Sequence, residues 1–452
     1  MSVKRTTGGI RFDRTGAIRI TGAVSATANL DLVKKPISPL KRVKHLCIKE
    51  GEGVYVKDAG IVTRGFNFPV AEAIFEAHAA TEINVIALSS TLVVAVFLDG
   101  NDTYAKAIAG TVDAAGAITW GTAVNINAAL TDSLSICKLS ATSFAVAYRD
   151  NTGTTGYICL RIGSVSTTTI TFGSEKELNA AASNAYTGIT MPTAGYLVVV
   201  YSETFDSHGD SICIDYSGTT LGTAGTAVEF NGAASSWLSI VSHAVGKFTI
   251  SFRDAGNSNK CCSIVGSHTL TGIDAYTGSV TAISSAAATY ISTISPVENV
   301  VYYVYVVATF ASVKAATISG VEITSVTEKT LNSSASKFTK ITALSPDKVV
   351  VSYEDDGAAV DYGSYFLLAV SAANLFTTTA NYIFAIGATA DNGICALDGD
   401  RIVICFKDEG DSNNGKCIVG NYNEFLIDVR GEAASKRFVL WLIPYYGAVK
   451  TA

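Results

Sequence analysis

A phrase of strand, tight turn and strand, ending on an aromatic residue, returns seven times along this chain, and no other feature narrows the fold as much. Its clearest copy is LSICKLSATSFAVAYRD at residues 134–150. The closing aromatics are Phe97, Tyr148, Tyr201, Phe252, Tyr305, Tyr353 and Phe406, at intervals of 51, 53, 51, 53, 48 and 53 residues. An all-strand repeat of about 50 residues is the signature of a β-propeller with one unit per blade. Runs such as LVVAV, FAVAY and IVICF are too apolar for strands with one wet face and suit strands packed on both sides. The seven aromatics are read as core for the same reason.

The second unit traces four strands: LSICKL, SFAVAYRD, TGYICLRIG and TTITFGSEKELN. The seventh, residues 393–421, has three strand segments and no fourth, while GIVTRGFNFPVAEAIFEAHAATE near the N-terminus reads as an outer strand with no inner strands before it. Joining the two removes the open sheet edges. The expected fold is therefore all-β: a seven-bladed β-propeller over residues 59–424, closed by an N-terminal outer strand within 59–82. An open eight-unit solenoid is the alternative. Residues 1–58 read as a small β arm, with a hairpin around Arg14-Thr15-Gly16 and another around Gly51–Gly53, and residues 425–452 as a short apolar tail.

Charge separates these parts. The formal net charge is −6, yet residues 1–58 carry twelve Lys/Arg and five Asp/Glu, leaving the remainder acidic. The arm and the repeats are expected to face different surroundings. MSVKRTTGGIRFDR lacks the apolar core of a secretory signal, and no stretch is long enough to span a bilayer as a helix, so synthesis in a cytoplasm without membrane insertion is expected. Nine cysteines without paired spacing argue against a disulfide framework. Cys137, Cys159, Cys213, Cys395, Cys405 and Cys417 sit in apolar strands, where Cys acts as a small hydrophobe, and Cys261-Cys262 point to opposite faces.

Candidate chemistry is sparse. Acidic turns follow several second strands: LDGND, RDNTG, RDAGN, EDDGA and KDEGD. Asp, Asn and Gly are what a hairpin turn demands, and the fixed ligand spacing of a calcium loop is missing, so these are read as turn chemistry with no metal or cofactor. Glycosidase or sialidase catalysis would need a placed acid pair or an arginine cluster. Arg149, Arg161, Arg253 and Arg401 are few, and no acid pair stands out, so no catalytic residue is assigned. The histidines are scattered without metal spacing, and His243 is placed at a strand end. Lys34, Lys35, Lys41, Arg42 and Lys44 form a basic cluster. Without interleaved aromatics it reads as a solvated or protein-docking face and not a nucleic-acid site. Trp441, Pro444, Tyr445 and Tyr446 in the apolar tail complete the expected interface residues.

The repeat phrase, with its fAVAYRD and TITFGSE segments, resembles the divergent propeller repeats of bacteriophage and other virus structural proteins. TTGGIRFDRTGAIRITGA resembles N-terminal segments of phage virion proteins. What the resemblance implies is a non-enzymatic virion component (tail, fibre or capsid decoration) that is made in the host cytoplasm. It would dock on other virion proteins or on copies of itself through its termini. A lectin-like propeller binding host-surface glycan is the alternative, and a glycosidase-type propeller the second.

Overall fold

The computed structural model describes residues 10–12, 18–20, 61–68, 70–152, 156–178, 183–203, 207–269, 272–332, 334–357, 361–432 and 437–444. Contacts divide the chain into two compact units, Phe66–Tyr422 and a second comprising Met1–Gly65 with Asn423–Ala452. Among the described residues there is no α-helix, only a single 3-10 turn at Ala255–Asn257.

In the larger unit each repeat phrase becomes an antiparallel sheet. In the second repeat, residues 131–138 pair with Ser143–Asp150, which pairs with Tyr157–Ser166. The last of these pairs with two short outer pieces, Thr169–Phe172 and Lys176–Glu177. Several strands are long because they serve two sheets. Val124–Lys138, Thr281–Val297 and Phe376–Ala396 each end one repeat as its outer strand and begin the next as its first.

Ala73–Ser89 is built the same way. Its second half pairs with Leu92–Asp99 of the first repeat. Its first half pairs with the third strand of the seventh, from Asn414↔Ala79 to Cys417↔Ala73. Side chains agree with that register. A Cβ on Gly415 would meet the Phe75 ring at 2.5 Å, just as Gly209 faces Phe230 and Gly363 faces Phe384 in their own repeats. Each of these phenylalanines also packs on the closing aromatic of the following repeat: Phe75 on Phe97 at 4.9 Å, Phe230 on Phe252 at 5.1 Å and Phe384 on Phe406 at 5.3 Å. Further out, Phe66 and Phe68 close over Gly420.

The core lies between neighbouring sheets. Val93, Ala95 and Phe97 pack with Val403, Cys405 and Val419 of the seventh repeat, while Val94 and Val96 on the other face pack with Val146 and Tyr148 of the second. Two buried faces explain the continuous apolar runs. The seven closing aromatics are all at most 1% exposed, each worth about 1.5–3 kcal/mol of burial. In three of the four tyrosines among them a neighbouring polar group takes the hydroxyl: Tyr148 donates to Glu175, Tyr305 to Glu328 at 2.8 Å and Tyr353 to Asn381 at 3.0 Å.

One expectation fails. Cys405 and Cys417 stand directly opposite each other in the seventh repeat and are joined by a disulfide. Spacing along the sequence could not reveal this, because the pairing follows from strand register across a hairpin. The other described cysteines are free, and Cys261 and Cys262 belong to different core clusters, as alternation predicts.

The smaller unit unites both ends of the chain. Ile10–Phe12 pairs with Ile18–Ile20, the hairpin expected around Arg14-Thr15-Gly16. Ile18–Ile20 then pairs with Arg437–Pro444, which pairs with residues 425–432. The C-terminal segment expected as an apolar tail is thus a hairpin in a sheet shared with the N-terminal strands. The second expected N-terminal hairpin, around Gly51–Gly53, lies outside the described residues.

Candidate functional site at the first-strand bulges

The first strand of every repeat exposes one edge that no further strand covers, and its N–H groups need other partners. Hydroxyls of the adjacent repeat supply them. Ile189 N–H donates to Ser135 Oγ at 3.2 Å, Ser242 N–H to Thr190 Oγ1 at 3.1 Å, Thr293 N–H to Ser239 Oγ at 3.1 Å and Ala396 N–H to Thr342 Oγ1 at 3.1 Å. The first strands of the seventh and first repeats also approach closely: a Cβ on Gly393 would lie 3.0 Å from the Ile83 carbonyl oxygen. A cavity of about 210 Å³ is lined by first strands from all seven repeats, at Asn84, Ser135, Gly188, Ser239, Ser292, Lys340 and Gly393.

Two residues before these positions, each first strand shifts register against its second strand. The bulged residues are Glu82, Ser133, Trp237, Tyr290, Phe338 and Asp391, with φ between 46° and 59°. Tyr186 holds the equivalent place in the third repeat. Positive φ is uncommon for any non-glycine residue and strained for bulky ones, and such strain concentrates at functional positions. The strain is held by neighbours: Thr339 donates to the Tyr290 carbonyl at 2.6 Å and Asn392 to the Phe338 carbonyl at 2.7 Å.

Four consecutive repeats place aromatics here. Ring centroids lie 5.8 Å apart for Tyr186–Trp237, 4.5 Å for Trp237–Tyr290 and 5.1 Å for Tyr290–Phe338, all tilted. The seventh and first repeats place acids. Burial pushes Glu82 up to about 7, against the pull of the Leu134 N–H that donates to it at 2.9 Å. Asp391 is likewise raised, by burial first, with Lys407 and Lys340 opposing. Lys340 is held below its ordinary value by burial, opposed by Asp391 and Glu82, and its Nζ lies 3.3 Å from Asn84 Oδ1. The group thus offers an aromatic arc, two carboxyls raised by burial, an amine and an amide.

Residues singled out from sequence fare differently. Five turn aspartates do what turn chemistry requires: Asp99, Asp150, Asp254, Asp355 and Asp408 each accept the N–H two residues on. His243 ends its strand, buried and 3.2 Å from Asn299. The arginines do not converge: Arg161 donates to the Gly173 and Ile126 carbonyls, and Arg401 to Asp398 and the Ser90 and Asp113 carbonyls. Arg149 lies 3.1 Å from Asp132. Lys34, Lys35, Lys41, Arg42, Lys44, Tyr445 and Tyr446 lie outside the described residues, and Trp441 and Pro444 fall in the strand Arg437–Pro444. Sequence reasoning missed the bulge residues. The one signal was position: each lies fifteen residues before its closing aromatic.

The fold and site together define an all-β, propeller-like protein. No protein-family model matches the sequence, and no curated protein matches it. Among solved structures, the chain is similar to the WD40 domain of Toxoplasma gondii coronin, with 10% identity over 82% of this chain and 88% of that one and a TM-score of 0.53. It also matches a protein of unknown function from Dyadobacter fermentans (11% identity, 80% and 99% covered, TM-score 0.47) and a mutant of the NanB sialidase from Streptococcus pneumoniae (9%, 78% and 70%, 0.46). At such identities the coronin likeness is one of fold alone. No helix among the described residues is long and apolar enough to cross a membrane.

Proposed function

We propose that this chain is a non-enzymatic, seven-bladed β-propeller that recognises glycan at the ring formed by its first-strand bulges, carried as a structural component of a bacteriophage particle. The observation that carries the reading is the aromatic arc of Tyr186, Trp237, Tyr290 and Phe338 beside Glu82 and Asp391. Sugar rings present apolar C–H faces and hydroxyl edges, and an aromatic wall next to carboxyl, amine and amide groups complements both. The pairing of residues 73–79 with the seventh repeat supports closure by an N-proximal outer strand.

A glycosidase reading has less support, because Arg161 and Arg401 are engaged with backbone carbonyls. The virion setting rests on the sequence resemblance. It is also favoured by the compact unit in which N-terminal and C-terminal strands pair, which is suited to docking on other virion proteins or on copies of this chain. Glycan-array binding by the intact chain, repeated with Trp237→Ala, tests the first reading: saturable binding lost in a folded variant upholds it, and an array without binding removes it. For the second, light scattering of the intact chain is compared with Arg19→Pro, which breaks the Arg19↔Val439 pairing. An oligomer that dissociates supports attachment through the ends.

A further inference from the structure

The cavity between the first strands has an asymmetry that the bulges do not explain. Of its seven equivalent positions, two residues after each bulge, five are small: Ser135, Gly188, Ser239, Ser292 and Gly393. The other two are Asn84 of the first repeat and Lys340 of the sixth. Between them stands Gly393 of the seventh, which puts no side chain in the way. Lys340 spans that place, and its Nζ lies 3.3 Å from Asn84 Oδ1, a contact between residues 256 apart in the chain.

The amide is oriented for this contact. Asn84 Nδ2 donates to the Glu82 and Leu134 carbonyls, both at 3.1 Å, so both amide hydrogens are engaged and Oδ1 is turned to the amine. Burial, which holds Lys340 below its ordinary value, favours the neutral amine, the form with a lone pair to give. Two carboxyls act on this amine, Asp391 more strongly than Glu82. Asp391 belongs to the seventh repeat, between the two partners, while Glu82 is engaged by the Leu134 N–H. A neutral amine, an amide carbonyl and a carboxyl able to carry a proton are the parts an amide exchange requires.

We propose that Lys340 and Asn84 condense into an intramolecular isopeptide bond that staples the sixth repeat to the first across the cavity. Lys340 Nζ attacks Asn84 Cγ, the Cγ–Nδ2 bond breaks, and the amide nitrogen leaves as ammonia. The proton it needs comes from the attacking amine, with Asp391 as the carrier, so the exchange consumes no oxidant, reductant or cofactor. Holding amine and carbonyl in one cavity replaces a bimolecular encounter, which is what allows an ordinarily unreactive amide to be attacked. The bond forms only once the first and seventh repeats have paired, because Lys340 and Asn84 meet only then. It constrains the unfolded chain through a very long loop, and it stands independently of the glycan reading.

The test is mass spectrometry of the intact chain after folding, then reduction and denaturation. The expected result is a mass lower by one ammonia, about 17 Da, and a proteolytic fragment in which the peptide containing Lys340 is joined to the one containing Asn84. The fragment decides, because the Asn-Gly steps at 231–232, 392–393 and 414–415 lose the same mass on cyclising to succinimide. On a denaturing gel the looped chain should run ahead of the linear one. Lys340→Met and Asn84→Ala should abolish both the fragment and the gel shift. Asp391→Asn should leave the chain linear with its melting behaviour still cooperative, and a fragment formed there as fast as in the parent overturns the role given to Asp391. A purely structural Lys340–Asn84 hydrogen bond predicts a linear chain throughout. Absence of the joined fragment from the folded parent after prolonged incubation overturns the proposal, and that measurement needs no variant to fold.

Discussion

The bulges of the third to sixth repeats and those of the seventh, first and second occupy the same backbone position yet carry opposite chemistry. The former are Tyr186, Trp237, Tyr290 and Phe338, whose rings touch from one repeat to the next. The latter are Asp391, Glu82 and Ser133, of which Glu82 accepts the Leu134 N–H. Since the register shift recurs in all seven sheets, strand pairing fixes the bulge and leaves its side chain free. Asp tolerates positive φ better than Glu or Trp does, so backbone preference favours Asp391 but accounts for neither Glu82 nor Trp237. The comparison teaches that the scaffold repeats and the site does not.

The harshest way to break it is to attack the packing under each half. Phe75 underlies the acidic half and Phe230 the aromatic half, each wedged between a glycine and the next closing aromatic. Phe75→Ala and Phe230→Ala should each cost about 4 kcal/mol in denaturant unfolding, the usual range for a buried ring. A much smaller loss at Phe75 would mean that the seventh and first repeats are joined less firmly than the others. Next comes recognition. Trp237→Ala should lower glycan affinity about 10- to 100-fold with the melting temperature little changed, whereas Ser133→Ala should leave affinity within about twofold.

Glu82 provides a pH test of the acidic half. Its folded value of about 7 exceeds the ordinary 4.5. Its contribution to stability is therefore fully present below about pH 4.5 and lost as pH rises through 7. Glu82→Gln should remove that slope and leave the variant about 2 kcal/mol more stable than the parent at pH 8. Glu354 titrates in the same window with the same sign, so some slope persists until both are changed. The smallest effect concerns strain alone. Ser133 has φ 59° and a buried hydroxyl without a partner, and Ser133→Gly should stabilise by about 1 kcal/mol in thermal or denaturant melts.

Much of the fold was legible because its cause is periodic. Buried second strands must be apolar on both faces, and Phe97, Tyr148 and their equivalents mark the repeat wherever it occurs. The turn aspartates were legible because side-chain capping is local in sequence. The bulge residues were not: Trp or Phe at positive φ contradicts every local preference, and only strand register places them side by side. Register also hid the Cys405–Cys417 bond and the match of Ile18 with Leu440, which joins residues far beyond any window of sequence spacing. The acidic turn at 354–358 was read as punctuation because its residues are those a hairpin turn demands, and the burial of Glu354 has no signature in the sequence.

The strand Ala73–Ser89 also has a history during synthesis. It leaves the ribosome early, yet the partner of its first half, Asn414–Cys417, emerges about 340 residues later, tens of seconds at ordinary translation speeds. Through that interval the nascent chain carries an unpaired strand edge with Ile74, still 50% exposed in the finished molecule, and Phe75 along it. Folding can proceed repeat by repeat, but this pairing waits for residues 414–417. The edge that completes the molecule is also the surface through which two unfinished copies would most readily pair.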